Sequence, residues 1–488
     1  MADAQKPVHP YANRWQRLYH WLDRRTGIGS LLHEALDEPI PGGARWAYVF
    51  GSVLLFLFIS QTVTGIFLSL YYVPSADRAH TTVAYIVKEV TGGSFLRSLH
   101  AYGSSAVVIV VLLHLTQTYL YGAYKGRREL LWISGCVLFA LMLAMAFTGY
   151  LLPWDQKAYF ATTVGTNMAT DVPLIGTWLK RFMRGGNEMG TLTVSRFFVA
   201  HVFLIPAVLI GFIAAHVYLF RKAGAAGPPS EDPVHPRLPT QRFYPRQVVM
   251  DTIVALLMIL VLGLLAHFAP TELGPQANAA DTQYVPRPEW YYLPIFQWLK
   301  YWRGRYAIIG IVVIPALTAA LLVCVPFIDR RLQRRPWRRP IAVGVFLLIL
   351  AGFVAMGLMS VRDDQRDPSI AKQVAKQREE TKQFMSEPFE PEPAIGSLAA
   401  ANVALSDPLA AAGKKIYEGE SCDACHGENG VGTNAGPKLS GATAQKSPEE
   451  LSNLLRHPTA KMIEGEMKPV DASDEDLKAL VAYIKSLK

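Results

Sequence analysis

Apolar positions along this chain fall in long uninterrupted blocks. Residues 46–73, 98–124, 130–153, 197–220, 252–270, 306–328 and 341–360 contain no Asp, Glu, Lys or Arg. About 20 apolar residues cross a bilayer core as a helix, so seven blocks predict seven membrane spans. After Ser360 the pattern changes. Residues 361–405 are polar and punctuated by Pro388, Pro391 and Pro393, which reads as a linker. Its charged stretch 370–383 suits a short solvated helix, but the Pro and Glu beyond it favour an extended, self-repelling tether. The last part, 406–488, is a small Cys-containing module ending in an amphipathic pattern over 474–487.

Charge refines this division. The chain of 488 residues carries a net +9, which read uniformly would suggest nucleic acid. The distribution argues otherwise: residues 1–360 hold 32 basic and 18 acidic residues, whereas 361–488 hold 16 and 21. Within the membrane half, the loops on the N-terminal side (1–45, 125–129, 221–251, 329–340) carry 20 Lys and Arg, against 12 in the opposite loops (74–97, 154–196, 271–305). The positive-inside rule places the N-terminus in the cytoplasm, and an odd number of spans puts everything after Ser360 outside. No cleavable signal is expected, because residues 1–10 lack an apolar core.

Four histidines lie inside the predicted spans: His100 and His114 in the second, His201 and His216 in the fourth. Ionisable groups within a bilayer are costly and mark function. A spacing of 14 leaves two side chains about 40° apart on a helix, and 15 leaves them about 60° apart. Each pair therefore shares a face. Because the two spans run in the same direction, His100 meets His201 near the outside and His114 meets His216 near the inside, about 21 Å away at 1.5 Å per residue. Two stacked imidazole pairs are what two b-type haems require. Gly51 and Gly65 in the first span, and Gly135 and Gly149 in the third, repeat the interval of 14 and let a flat macrocycle approach the backbone. The competing readings are interior histidines satisfied by hydroxyls and carbonyls, and glycines used for close helix packing. Arg97 and Arg196, just outward of His100 and His201, have two readings of equal weight: partners for haem propionates, or interfacial arginines reaching for water.

Of the four cysteines, Cys136 and Cys324 lie in spans and suit packing. The other two form Cys422-Asp423-Ala424-Cys425-His426, the spacing of covalent haem c attachment, with His426 as an axial ligand. A zinc site lacks a second ligand pair. Met467, close to Pro469 and the final helix, is the expected sixth ligand, with Met462 and His457 as alternatives. A haem c module matures outside the cytoplasm, in agreement with the span count. The expected fold is therefore all-α: a seven-helix transmembrane haem-binding bundle followed by a small all-α cytochrome c domain at 406–488.

Arg97-x-x-His100, His114, the run Gly149-Tyr150-Leu151-Leu152-Pro153-Trp154-Asp155-Gln156 and the motif Pro288-Glu289-Trp290-Tyr291 resemble cytochrome b of the quinol-oxidising bc and bf complexes. The resemblance covers nearly all of residues 10–360. It implies a four-helix dihaem part (1–222), a three-helix quinone-site part (240–360), and an outer quinol-oxidising site formed by the loop after Pro153 and the 288–291 motif. Glu289, Tyr150 and Tyr291 are its candidate catalytic residues, Glu289 being a carboxylate able to accept a quinol proton. An inner quinone site is implied at Asp251. His20 and Arg221 are weaker candidates there, each equally readable as an inner-surface charge. The interval of 15 between His201 and His216 and the seven spans resemble the bf branch. No cysteine precedes the first span, so that branch's extra covalent haem is not expected.

By this resemblance the partners are a Rieske iron-sulfur protein, quinol and quinone, a soluble or membrane electron acceptor, the lipid bilayer and a second copy of the chain. The location is a bacterial cytoplasmic membrane, with the haem c domain on the periplasmic side. The alternatives are a dihaem quinone-reactive anchor for a dehydrogenase, and a haem-binding assembly or sensor protein; neither accounts for the 288–291 motif.

Overall fold

The computed structural model describes residues 13–29, 33, 36–229, 239–281, 283–389, 408–427, 430–433, 436–439, 443, 446–464 and 467–487. They form two compact units, Met1–Glu390 and Pro391–Lys488.

The first unit opens with helix α1 (Arg14–Thr26), started by a reciprocal Asn13–Gln16 capping box and burying none of its residues. Among the described residues, seven helices are long and apolar enough to cross a membrane: α2 (Val49–Ser69, extended by a leading turn from Trp46), α4 (Gly93–Leu120), α5 (Glu129–Tyr150), α8 (Thr191–Ala223), α9 (Arg246–Phe268), α11 (Gly304–Ile328) and α12 (Pro340–Arg366). Between them lie α3 (Ala79–Lys88), α6 (Gln156–Met168), α7 (Gly176–Arg184) and α10 (Leu293–Leu299). The spans are apolar all round, as helices immersed in hydrocarbon are. Large side chains such as Leu55, Ile66 and Phe67 on α2 point outward. The opposite faces interlock: Val49, Val53 and Leu57 of α2 pack on Ala106, Val107 and Val110 of α4 and Leu262 of α9. Among the described residues sheet is confined to one antiparallel pair, β1 (Pro39–Pro41) with β2 (Thr240–Arg242).

Helix α8 is not uniform. Residues Ala200–Leu204 form a π turn, two residues before Pro206, and α11 has another at Ile309–Val313, two residues before Pro315. A helical proline cannot donate to the carbonyl four residues back and pushes it aside, which favours a wider turn. The consequence on α8 is specific: the turn includes His201 and absorbs one residue, so an interval of 15 to His216 does the work of the 14 on α4.

The linker expectation needs correction. Helix α12 continues past Ser360 to Arg366, and a further helix, α13 (Pro368–Ser386), follows. Asp367 caps it by accepting from the Ser369 and Ile370 amides, with Pro368 at the first helical position. Rather than extending into solvent, its end packs down: Phe384, Met385 and Phe389 cover Val83, Ala84 and Leu273. Lys88 donates to the Phe384 and Glu387 carbonyls at 2.6 and 2.7 Å. Charge density suggested a solvated tether; three apolar side chains near its end decided otherwise. The boundary between the units falls after Glu390, within the expected linker of 361–405.

The second unit contains α14 (Pro408–Gly419), α15 (Cys422–His426), α16 (Pro448–Arg456), α17 (Ala460–Glu464) and α18 (Asp474–Ser486). Helices α14 and α18 cross where Gly413 meets the Ala479 backbone; a Cβ there would lie 1.9 Å from the Ala479 oxygen. Tyr417, Leu451, Leu480, Tyr483 and Ile484 form the core.

Candidate functional site

Helices α4 and α8 bring the histidines together in the expected pairs. The rings of His100 and His201 lie 6.2 Å apart, centroid to centroid. Two imidazoles on one metal would stand about 6.2 Å apart, from metal–nitrogen bonds near 2.0 Å plus about 1.1 Å from each nitrogen to its ring centre. The gap between these rings therefore fits one iron. His114 and His216 lie near one another on the same two helices.

Neighbouring groups fix how the rings present their nitrogens. His201 donates from Nδ1 to the Met145 carbonyl (3.1 Å), leaving Nε2 as a lone-pair ligand. Thr64 lies 2.9 Å from His100 Nδ1, and its own hydroxyl proton goes to the Ser60 carbonyl. Ser134 stands likewise 2.8 Å from His216 Nδ1, with its proton on the Leu131 carbonyl. In both cases the committed hydroxyl can only accept, so the imidazole donates from Nδ1 and keeps Nε2 free, the usual arrangement around a metal-binding histidine. Sequence reasoning missed these hydroxyls, although a signal was present: Thr64, Ser134 and Thr148 each directly precede one of the glycines.

The glycines stand where expected. A Cβ on Gly65 would lie 3.2 Å from His100 Cε1, on Gly135 3.3 Å from His216 Cε1, on Gly51 3.7 Å from His114 Cε1, and on Gly149 only 2.4 Å from His201 Cε1. Each notch faces one imidazole, so a large flat group between the rings fits this chain. Arg97 donates to the Thr271 carbonyl (2.8 Å) and the Glu272 carbonyl (3.3 Å), and Arg196 donates to the Phe182 carbonyl. Arg97 thus ties the segment after α9, and Arg196 ties helix α7, to the span beside it.

At the end of α5, next to Gly149, begins a second constellation. Trp154 sits buried with a left-handed φ of 50°. Asp155 caps α6, accepting from the Ala158 amide at 2.8 Å, and pairs as an isolated bridge with Gln276. The segment after α9 is thereby stitched to the loop after Pro153: Gln156 N donates to Pro275 O, and Ala277 N to Trp154 O. Beside it, Tyr150 Oη reaches the Lys157 and Arg287 carbonyls at 3.4 and 3.5 Å, and Tyr291 is buried, edge-on to Trp290 and tilted against Tyr292. Glu289 forms an ion pair with Lys157, Oε1 to Nζ 2.6 Å. Sequence reasoning passed over Lys157, and over Asp364 at the end of α12, which grips Arg287 through two hydrogen bonds, one at 2.6 Å.

On the N-terminal side, Asp251 accepts from Ser52 (2.7 Å) and Gln247 (2.8 Å), and Gln247 in turn accepts from the Arg45 amide. Arg221 pairs with Glu38 at 3.0 Å, a partner that sequence reasoning did not name. His20 lies on the unburied α1.

In the second unit, His426 donates from Nδ1 to the Pro437 carbonyl at 2.9 Å, again leaving Nε2 free. Cys422 and Met467 both flank the core around Tyr417. Burial pushes the Cys422 thiol up to about 11. That is the opposite of what a redox-active Cys-x-x-Cys nucleophile needs.

Paired imidazoles over glycine notches, with a tethered Cys-x-x-Cys-His module, define a membrane-bound haem electron carrier. Comparison with known proteins narrows the class. Residues 35–224 match the family Cytochrome b/b6/petB, 276–377 the family Cytochrome b(C-terminal)/b6/petD, and 410–488 the family Cytochrome c. Over 220 residues the chain is 40% identical to the menaquinol:cytochrome c reductase cytochrome b subunit of Bacillus subtilis, covering 43% of this chain and 98% of that one. It is 31% identical over 350 residues to cytochrome b/c1 of Bradyrhizobium diazoefficiens, covering 70% and 50%. A solved hyperthermophilic respiratory Complex III shares its fold at a TM-score of 0.63 and 26% identity, over 76% of this chain and 98% of that one. The chain belongs to the cytochrome b family of quinol:cytochrome c reductases, with a cytochrome c domain fused behind the bundle.

Proposed function

We propose that this chain is the core of a proton-translocating quinol:cytochrome c reductase that oxidises quinol at the constellation around Glu289, Tyr150 and Tyr291. One observation carries the reading: Gly149 notches against His201, and the next residue, Tyr150, already touches the backbone of the Glu289 loop. A quinol bound there lies beside the outer imidazole pair. His100 and His201 would hold one haem b, His114 and His216 a second, and Cys422, Cys425, His426 and Met467 a haem c. Bound, these groups supply one-electron carriers spaced across the bilayer and on its outer side.

Oxidation of a quinol releases two protons and two electrons. Glu289 takes a proton, and Tyr150 and Tyr291 confine the ring. The chain holds no iron-sulfur ligand motif, so a Rieske partner accepts the first electron and the fused haem c is its exit. The second electron crosses the bundle to quinone at an inner site beside Asp251, with Arg221 and His20 near the membrane surface. Protons leave outside and enter from the cytoplasm, with the N-terminus cytoplasmic and the haem c domain periplasmic in a bacterial inner membrane. The working form is a dimer within a larger complex. Arg97 and Arg196 would face the propionates of the outer haem.

Blocking the inner site during quinol titration should increase haem b reduction; a decrease would favour a dehydrogenase anchor. Purified protein should yield two extractable haems b for each covalent haem c by pyridine haemochrome. A ratio of one to one would sink the dihaem core. Met467→His should lower the haem c potential and remove its weak iron-sulfur charge-transfer band, since methionine ligation raises potential. Met462→Leu should leave both nearly unchanged. The reverse pattern would move the ligand to Met462.

A further inference from the structure

We propose that Lys157 is a positioning residue for quinol oxidation: its ammonium holds the Glu289 carboxylate at the site while it is ionised and releases it once it takes a proton. The inference rests on Glu289 being the proton acceptor. Lys157 meets the site at both ends. Its carbonyl lies 3.4 Å from Tyr150 Oη, its Nζ stands 5.8 Å from the Tyr150 ring centre, and the same Nζ is 2.6 Å from Glu289 Oε1. It is fixed on the first turn of α6, which Asp155 caps.

The charged and titratable groups that Glu289 faces are few. Arg97 of α4 feels its charge at longer range but spends its guanidinium on the Thr271 and Glu272 carbonyls. Tyr150 and Tyr291 are the neighbouring hydroxyls, and burial keeps Tyr291 protonated. Asp155 acts on Arg97 and Tyr150. Among the described residues, Lys157 is the cation in direct contact with the carboxylate.

The pair is half-exposed, with 44% and 34% of the two side chains accessible. Such a pair is weak and screened by salt, so an incoming quinol hydroxyl can displace the ammonium. The transfer itself is simple: the quinol O–H bond breaks, an O–H bond forms on Glu289, and the oxygen left behind carries the negative charge. A neutral carboxyl no longer attracts Lys157 and is free to turn outward. After it loses its proton, the ammonium draws it back.

The test uses the intact purified complex with a decyl-substituted quinol, following the acidic limb of kcat/KM, which reports the base in the free enzyme. Lys157→Met should move that limb upward, the direction expected when a carboxylate loses a contacting cation, and by a small amount because the pair is solvated. Lys157→Arg should bring it back to within a few tenths. In a Glu289→Gln background, Lys157→Met should move nothing further. Lys157→Gln serves if the methionine variant fails to assemble, with haem b absorbance reporting assembly. A uniform loss of rate at every pH, with the limb in place, would make Lys157 a shape-holding residue and overturn the proposal. So would a limb that still moves with Gln at 289. If Glu289→Gln alone leaves turnover unchanged, the reading of Glu289 fails. If it slows turnover but Lys157→Met leaves the limb in place, only the present inference fails.

Discussion

Glutamine at position 289 is expected to slow quinol oxidation by about 10- to 1000-fold, the scale of losing a positioned general base, with haem spectra intact. The amide keeps the shape of the carboxylate but cannot take a proton at working pH. It also loses the 2.6 Å ion pair to Lys157; that pair is half-solvated and holds little of the fold. The loop survives by other means. Arg287 stays gripped by Asp364, Gln297 donates to Asp363 at 2.7 Å, and Tyr292 Oη to the Leu143 carbonyl at 2.9 Å. Stopped-flow reduction of haem b by quinol reads the rate. Unchanged turnover would assign Glu289 to structure and move proton acceptance elsewhere in the site.

Leucine at position 149 is expected to eliminate the outer haem b, taking the ratio of haem b to haem c from two to one. A Cβ there would approach His201 Cε1 to 2.4 Å and Nδ1 to 2.9 Å, inside van der Waals contact. The imidazole has little room to yield. Its Nδ1 is tethered to the Met145 carbonyl at 3.1 Å and lies 3.3 Å from the Thr148 hydroxyl, and swinging away would leave a polar nitrogen unpaired in an apolar span, at a cost of about 1–3 kcal/mol. Covalent haem c, assembled on the separate unit, reports that the variant was made and inserted. Retention of both haems b would mean that the Gly149 notch is only a packing feature.

The main architecture was legible before any coordinates. Seven charge-free blocks became seven long apolar helices, because a bilayer demands a run of apolar residues that no soluble fold needs. The histidines and glycines could be paired from spacing alone, since a regular helix converts sequence interval directly into angle and height. Cys422-x-x-Cys425-His426 needed only its own spacing. Element ends were less legible: α12 runs past Ser360 onto Arg366 because its charged last turns have partners, Asp364 on Arg287 and Asp363 on Gln297.

What escaped sequence reasoning were contacts between residues far apart in the chain. Lys157 and Glu289 are 132 residues apart, Arg221 and Glu38 are 183 apart, and Ser52 and Asp251 are 199 apart; no periodicity connects such positions. The docking of α13 turned on Phe384, Met385 and Phe389 finding Val83, Ala84 and Leu273, a match that local charge density concealed. The same holds for the interval of 15 on α8, which spacing alone reads as a 60° offset and which the π turn at Ala200–Leu204 absorbs. Which segments cross the membrane and which residue types carry chemistry are legible locally, because those properties are sums over neighbouring residues. Tertiary structure alone decided which charge meets which, since a partner's identity depends on the path of the whole chain.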